Sequence, residues 1–476
     1  MFFHPLNILT IIIYLVSIAF IGYYTGKEES TTTDFFLASR KMPWPAVCLS
    51  ILATELSAVT FIGAPAFSFN AGGNFTYLQL ALGSLIGRIL IATLFLTVFY
   101  KHNVTTVYEY LSIRFGTQSQ VLGAVVFFIT RLLASGVRLY VASLAIHVIF
   151  GISLFASIVI TSGIAMLYTM WGGIKAVIWT DVLQISIFMG GALATMILIF
   201  HYCGGWAHIQ PLITSSKKLQ VFDFSLSMTK PFTLLAGIFG GCFLTFSALG
   251  TDQDLTQRML TCKNTRFAQK ALILTGLLNF PIVIIFLSIG ILLYAYYLLF
   301  PDMSLPENGD HIFPYFIRNS LPPGISGLLV VSMFAAAMSS LDSALNSLAS
   351  SAINDIYRPF FVKNKTEQHY VNMSRIFVIF FSMMLVAIAY ICKNMETVLI
   401  LAFKITSYTY GALLGVFLTG ILTKRGNNIG NLIAMLSSFV IVYCISKTAI
   451  AWPWYVVAGS ISTFVIAILF PSPKPQ

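Results

Sequence analysis

Thirteen long apolar stretches constrain the fold of this 476-residue chain more than any other feature. Each has about 20 residues or more, the length that an α-helix needs to cross a hydrocarbon core about 30 Å thick. The stretches are residues 6–26, 43–67, 76–100, 119–148, 151–170, 175–203, 233–251, 268–300, 324–352, 371–392, 396–420, 427–447 and 451–470. Stretches such as Leu272–Tyr297 show no alternation of apolar and polar residues, which excludes the strands of a β-barrel. The sequence therefore predicts an all-α polytopic membrane protein with about 13 transmembrane helices.

Charged residues are correspondingly scarce. They make up 9% of the chain, whereas a soluble domain carries about 25%. This composition excludes an ordinary soluble enzyme, and the absence of any block of five or six like charges excludes a nucleic-acid-binding protein. The two longest loops, 204–232 and 301–323, are too short for a catalytic domain, so we expect no enzyme activity and no catalytic residues.

The six cysteines are scattered, without a C-x-x-C motif or neighbouring histidines, and predict neither a metal cluster nor a disulfide framework.

The first apolar stretch is expected to remain as a helix. No Lys or Arg precedes it, and its small-x-small triplet Ser17–Ala19 lies inside the apolar run, unlike the cleavage site of a signal peptide.

The distribution of Lys and Arg predicts the orientation of the chain in the membrane. With the N-terminus outside, 17 of the 27 basic residues fall on the cytoplasmic side and 6 on the outer side, and four lie within stretches. Cytoplasmic loops of membrane proteins carry the excess of Lys and Arg, so an outer N-terminus and a cytoplasmic C-terminus are favoured. The expected location is the plasma membrane, and the short tails point to a bacterial inner membrane.

Seven charged residues lie inside the predicted spans. A charge at the bilayer centre costs about 2.5–3.5 kcal/mol on insertion scales, so each needs a partner or a water-filled cavity. They are Glu55, Arg88, Arg131, Arg138, Asp181, Asp342 and Lys404. The arginines could pair with carboxylates or extend toward the interface, and Asp181 could hold a helix end. Glu55 and Asp342 stand out because they lie beside other polar groups.

One helical face of the stretch 324–352 is a row of hydroxyl groups. Its members recur at intervals of three and four residues and are Ala336, Ser339, Ser340, Ser343 and Ser347. Small residues at this spacing are typical of close helix packing. The same hydroxyls, with carbonyls freed by a broken helix, would also supply the neutral oxygens that Na⁺ prefers. Periodicity alone leaves both interpretations open.

Two spans carry signs of interruption. The stretch 43–67 has a polar centre, residues 53–60, followed by Gly63 and Pro65. The stretch 233–251 is rich in glycine, at Gly237, Gly240, Gly241 and Gly250. Interrupted spans at corresponding places in two halves indicate an inverted repeat with a binding site near the bilayer midplane.

These residues resemble the sodium:solute symporter family, which includes sodium-coupled transporters of glucose, proline, iodide, vitamins and sialic acid. The matching stretches are Phe35–Pro43, Ala53–Gly63, Tyr108–Phe115, Gly172–Gln184, Asp252–Leu260 and Ala335–Asn346. The resemblance implies a LeuT-like five-plus-five inverted repeat, with one helix before it and two after. The implied divisions are an N-terminal segment (residues 1–42), a first repeat (43–203), an outer loop (204–232), a second repeat (233–423) and a C-terminal segment (424–476).

The resemblance also implies ion sites. A principal Na⁺ site would use the carbonyls of Ala53, Leu56 and Ala336 with the hydroxyls of Ser339 and Ser340. A second position would use Asp181 with Ser339, Asp342 and Ser343. Asp342 stands where a family member has a serine.

The implied solute site lies beside the first interruption. Glu55, Ser57 and Thr60 would line it, with Thr245 opposite. The arginine that sialic acid transporters of the family present from the stretch 119–148 maps onto Ala134. Arg131 or Arg138, about one turn to either side, could replace it.

The predicted function is Na⁺-coupled symport of a small polar solute by alternating access. A sugar, a carboxylate, a vitamin and an amino-acid-like molecule all stay open as solutes. The first alternative is proton coupling through Glu55, Asp181 or Asp342. A channel is a further alternative, which the clustering of polar residues near mid-membrane disfavours.

Overall fold

A computed structural model describes residues 4–25, 31–56, 58–301, 306, 309–392 and 398–472. Within these ranges the chain is helical, and its only β contact is an isolated bridge between Met42 and Cys262. The α-helices are α1 (Pro5–Thr25), α2 (Thr32–Leu37), α3 (Trp44–Glu55), α4 (Ala58–Phe69), α5 (Gln79–Leu90), α6 (Leu96–Lys101), α7 (Val107–Phe115), α8 (Thr117–Phe150), α9 (Leu154–Tyr202), α10 (Trp206–Ser215), α11 (Gly241–Thr251), α12 (Gln253–Leu260), α13 (Thr265–Leu299), α14 (Ile312–Asn319), α15 (Ile325–Ser351), α16 (Glu367–Ile391), α17 (Val398–Leu422), α18 (Asn428–Ser446) and α19 (Pro453–Ile468).

The helices coincide with the predicted apolar stretches to within a few residues. Within the described residues, eight helices are long and apolar enough to cross a membrane. The count is nine if the bent pair α3 and α4 is taken as one span. Three shorter apolar helices accompany them, at Ala236–Thr251, Thr406–Leu422 and Pro453–Ile468. The protein is therefore an all-helical integral membrane protein.

Helix α9 runs for 49 residues and contains a sharp break. At 1.5 Å per residue it would be more than twice as long as a bilayer core is thick. Gly173 has φ 48° and ψ −152°, a conformation that is costly for a residue with a Cβ atom. The break falls between the predicted stretches 151–170 and 175–203, where the sequence Trp171–Ile174 is rich in glycine.

The first predicted interruption is present. Helix α3 begins at Trp44 after Pro43 and carries Pro45 in its first turn, where the missing N–H of proline costs nothing. It ends at Glu55, and Leu56 is extended, with ψ 91°. Residues Thr60–Phe69 then continue at an angle of 59° to α3. This break lies in the polar centre of the span.

The second interruption is not where the glycines predicted it. The chain unwinds at Asp252, with φ −92° and ψ 120°, between α11 and α12. Residues Ala236–Gly240 form a π-helical turn that leads into α11 without a break. The prediction failed because these glycines serve close packing, whereas Asp252 ends one helix and caps the next by accepting a hydrogen bond from Asp254 N at 3.0 Å.

Helices α5 and α11 pack almost backbone to backbone through glycines. A Cβ atom at Gly83 would lie 2.2 Å from the carbonyl oxygen of Gly237, and one at Gly87 would lie 2.7 Å from that of Cys242. Small residues permit such contact, which is the main source of helix association in lipid, where burial of apolar surface contributes little.

The other helices pack around the broken pair. Helix α15 lies against α9, α8, α1 and α16, and α3 and α4 lie against α9 and α13. Helix α17 packs on α11 and on the C-terminal pair α18 and α19. The interrupted helices are therefore enclosed by others, which is the setting in which non-helical backbone is tolerated at membrane depth.

Replacing Gly83 by Ala should destabilise the protein, because the new methyl group would overlap the Gly237 carbonyl. Overpacking of this kind costs about 1–3 kcal/mol. Gly190→Ala is a matched control, since a Cβ there meets nothing within 4 Å. We expect a lower thermal unfolding midpoint in detergent for Gly83→Ala and little change for the control. Equal midpoints would contradict the backbone contact.

Candidate ion and solute site

The end of helix α3 meets the serine face of α15. The Ser339 hydroxyl donates to the Ala53 carbonyl at 2.9 Å and lies 3.2 Å from the Ala336 carbonyl. The Ser340 hydroxyl lies 3.4 Å from the same Ala336 carbonyl. All four residues are buried. The structure thus brings four of the five predicted Na⁺ ligands into one cluster.

The break after α3 explains why the Ala53 carbonyl is available to another helix. The last four carbonyls of a helix have no intrahelical partner. Leu56 N–H still bonds the Leu52 carbonyl at 2.9 Å, while the Ala53 carbonyl accepts from another helix. Leu56, the fifth predicted ligand, lies in the extended backbone of the break. Neutral carbonyl and hydroxyl oxygens are suited to a hard monovalent cation.

A second cluster joins two of the predicted solute residues. Both carboxylate oxygens of Glu55 accept from Arg88 Nη2, at 2.7 and 2.6 Å. Arg88 also donates to Ser84, whose hydroxyl accepts from Thr245 at 2.9 Å. Arg88 Nε donates to Thr275 at 3.1 Å. Glu55 on the first broken helix is thereby linked to Thr245 on the second.

Exposure differs between the members of this cluster. The side chain of Glu55 is 23% exposed and that of Arg88 is 1% exposed. The carboxylate is therefore the charged group that a solute could reach. Thr60 and Thr245 are half-buried, and Ser57 lies outside the described residues.

The two arginines of α8 have different surroundings. Arg131 contacts Asp252 through Nη2 and lies 2.8 Å from Asp254 Oδ2 through Nη1. Arg138 follows seven residues later, on the same helical face about 10.5 Å along the axis. It is half-buried, and among the described residues no carboxylate lies within ion-pair distance of it. Arg131 is occupied by internal carboxylates, whereas Arg138 is available.

The predicted second ion position contains a guanidinium. Arg258 Nη2 lies 3.1 Å from Asp181 and donates to Ser343. Asp181 and Ser343 are two of the four residues predicted to bind the second ion. Arg258 Nε donates to Ser50 at 2.8 Å, and Ser50 donates to Asp181 at 2.6 Å. Arg258 Nη1 donates to the Asp254 carbonyl at 2.6 Å.

Asp342 has only neutral hydrogen-bond donors around it. Its carboxylate accepts from the Tyr168 hydroxyl and from Ser343 N, both at 2.6 Å. It is fully buried, and among the described residues no cationic group lies within ion-pair distance. The Asp342 carboxyl group therefore lies one helical turn from Ser339 without a cationic partner among the described residues.

Several members of these clusters were not identified from the sequence. Arg258 is one of the 17 basic residues that the sequence assigns to the cytoplasmic side, and its side chain is only 1% exposed. The others are Ser50, Ser84, Tyr168, Asp252, Asp254 and Thr275. A signal was present for the segment Asp252–Leu260, which places three charges within seven residues directly after an apolar span.

Comparisons with known proteins identify the family of this chain. Residues 35–438 match the profile of the sodium:solute symporter family. The sodium-dependent multivitamin transporter of Oryctolagus cuniculus is 31% identical over 465 residues, 95% of this chain and 70% of that protein. The sodium-coupled monocarboxylate transporter 1 of Homo sapiens is 29% identical over 450 residues, 92% of this chain and 73% of that protein.

A solved structure has the same fold. It is a Na⁺-coupled sialic acid symporter in a substrate-bound outward-open state, with a TM-score of 0.89 and 26% identity. The alignment covers 99% of this chain and all of that one. The chain belongs to the sodium:solute symporter family. It is a Na⁺-coupled symporter, and not an enzyme, which confirms the predicted class and the coupled ion.

Replacing Arg131 by Gln should destabilise the protein strongly, because Asp252 and Asp254 would lose their buried partner. Breaking a buried pair from one side costs about 3–5 kcal/mol. Lys230→Gln removes the cation of an exposed pair, 3.6 Å from Asp223, and should cost less than about 1 kcal/mol. Thermal unfolding of the two variants in detergent measures the difference. Similar midpoints would show that the Arg131 pairs contribute no more than a surface pair.

Proposed function

We propose that the protein carries a small organic carboxylate into the cell with one Na⁺ bound between α3 and α15. The observation that carries this proposal is the contact of the Ser339 hydroxyl with the Ala53 carbonyl, 2.9 Å across the two helices. With Na⁺ bound, both oxygens turn toward the ion, joined by Ser340 and the Leu56 and Ala336 carbonyls.

The broken helix gives the ion site a route to release. Ser50, in α3, is hydrogen-bonded to Asp181 and Arg258, so this half of the broken span is tied to α9 and α12. Opening toward the cytoplasm separates α3 from α15 and removes the carbonyl ligands. Because ion and solute both favour the state with α3 in place, each increases the affinity of the other. A potential of 100 mV adds about 2.3 kcal/mol for each charge carried inward.

The two interrupted spans support the inverted repeat. Each begins one of the proposed five-helix repeats, 43–203 and 233–423, after the outer loop 204–232. A count of 13 spans is supported if α9 is divided at Gly173 and the bent pair and the three shorter apolar helices are each counted as spans. The Lys and Arg distribution supports an outer N-terminus, and the bacterial inner membrane is the proposed location.

At the second ion position, we propose that the guanidinium of Arg258 takes the place of a Na⁺ ion. Arg258 already contacts Asp181 and Ser343, so a guanidinium supplies positive charge there. Asp342, the remaining carboxyl group of this position, is hydrogen-bonded to Tyr168 and to Ser343 N. One Na⁺ per cycle follows, which gives uptake a Hill coefficient of about 1 for Na⁺, whereas a value near 2 would favour a second Na⁺ at this position.

The solute class is proposed from the available charges. Of the three arginines inside the predicted spans, Arg138 is the one without a carboxylate partner among the described residues, and a guanidinium binds a carboxylate in bidentate geometry. Glu55, with Ser57, Thr60 and Thr245, accepts hydrogen bonds from hydroxyl or amino groups of the same solute. The names of the relatives, which refer to vitamins, monocarboxylates and sialic acid, support this choice.

The Ser339→Ala/Ser340→Ala variant should lose Na⁺-driven uptake in proteoliposomes, because two of the five proposed ligands are removed. Ser332→Ala is the control, since Ser332 bonds the Leu328 carbonyl at 2.8 Å in the same helix but lies outside the cluster. Radiolabelled uptake with and without a Na⁺ gradient measures the effect. Wild-type uptake driven by a pH gradient without Na⁺ would establish proton coupling instead.

Arg138→Gln should raise the KM for a carboxylate solute by about tenfold to a hundredfold, corresponding to loss of one charge-assisted bond of about 1.5–3 kcal/mol. Arg138→Lys should keep some of the affinity. The solute is first found by a thermal-shift screen of carboxylates, vitamins, sugars and amino acids, with and without Na⁺. Stabilisation by an uncharged sugar, with Arg138→Gln unaffected, would contradict a carboxylate solute.

A further inference from the structure

The loop between α10 and α11 presents an apolar row to its surroundings. The row consists of Phe222, Phe224, Leu226 and Met228, exposed to 47%, 70%, 83% and 55%. The alternate residues, Asp223, Ser225 and Ser227, are half-buried against the protein. A water-exposed segment normally has the opposite pattern, and a large contiguous apolar surface marks an interaction site. The row therefore requires a partner.

Two backbone hydrogen bonds fix the position of the loop relative to the starts of two apolar helices. The Asp223 carbonyl accepts from Leu234 N at 2.8 Å, two residues before the apolar helix that starts at Ala236. The Met228 carbonyl accepts from Ala451 N at 2.9 Å, two residues before α19. Both ends of the row are thereby held next to the start of an apolar helix.

Aromatic side chains mark the same level as the membrane interface. Phe239 stacks on Trp454, with ring centroids 6.5 Å apart, just inside the two helix ends. At the end of α18, Lys447 Nζ lies 5.1 Å from the ring centroid of Tyr443. Aromatic residues and lysines gather at the boundary between hydrocarbon and water.

We propose that the apolar row inserts into the headgroup region of the bilayer leaflet on this side of the protein. The row lies beside the ends of α18 and α19, since its Met228 is bonded to Ala451 in the connection between them. Its phenylalanines bind among the headgroups, while Asp223, Ser225 and Ser227 keep the polar side of the segment on the protein. The Leu234–Asp223 bond, with the Gln79 amide oxygen accepting from Asp223 N at 3.2 Å, connects this anchor to α5 and to the start of the second broken span.

The test is a fluorophore attached at Phe224→Cys in a Cys444→Ser background, because the other five cysteines are buried. The labelled protein is reconstituted in phosphatidylcholine–phosphatidylglycerol vesicles that contain lipids doxyl-labelled either near the headgroup or deep in the acyl chain. We expect the emission of the fluorophore to be blue-shifted. Lipids labelled near the headgroup should quench it at least about twofold more strongly than lipids labelled deep in the acyl chain. Lys363→Cys, in an exposed loop, is the control and should show water-like emission without quenching.

Two results would overturn the proposal. Water-like emission at Phe224→Cys would show that the row lies in solvent. Cross-linking of Phe224→Cys between two copies at low protein-to-lipid ratio would show that a second copy covers the row. A Phe224→Ser/Leu226→Ser variant labelled at Met228→Cys provides an independent check, since loss of the neighbouring anchors should lower quenching at that position.

Discussion

The contacts of the buried Arg258 guanidinium are the interaction on which the proposed ion-binding region depends. Arg258 lies in α12 and contacts Ser50 in α3, Asp181 in α9 and Ser343 in α15. A buried charge without partners would be very costly, so these helices are held together by the requirement to satisfy one cation. The first half of the broken span, α3, is thereby tied through Ser50 to α9 and α12.

The proposed ion site and the helix packing both follow from one property of the bilayer interior, the absence of water. Carbonyls released by the break at Leu56 must find another partner, and Ser339 provides it for Ala53. Close approach through Gly83 and Gly87 provides the packing that hydrophobic burial cannot provide in lipid. Polar groups therefore gather where a backbone is broken, which is also where a desolvated cation finds oxygen ligands.

Much of the fold could be predicted from the sequence because a membrane span is a local property. The helix ends, the break in the span 43–67 and the serine face of α15 all appear within single segments. The break at Asp252 could not be predicted from the glycines, because their role depends on α5, a distant segment. The buried position of Arg258 could not be predicted for the same reason, since its partners Ser50, Asp181 and Ser343 lie on three other helices and no local pattern distinguishes it from a loop arginine.

The sequence by itself determined that the chain is a helical membrane protein, and through its motifs that it resembles Na⁺-coupled symporters. It also identified which charged residues need an explanation. Only the tertiary structure decided their partners: Glu55 with Arg88, Arg131 with Asp252 and Asp254, and Asp181 with Arg258. The physical reason is that length and hydrophobicity are summed along the chain, whereas the stabilisation of a buried charge depends on atoms within about 4 Å, most of which come from other helices.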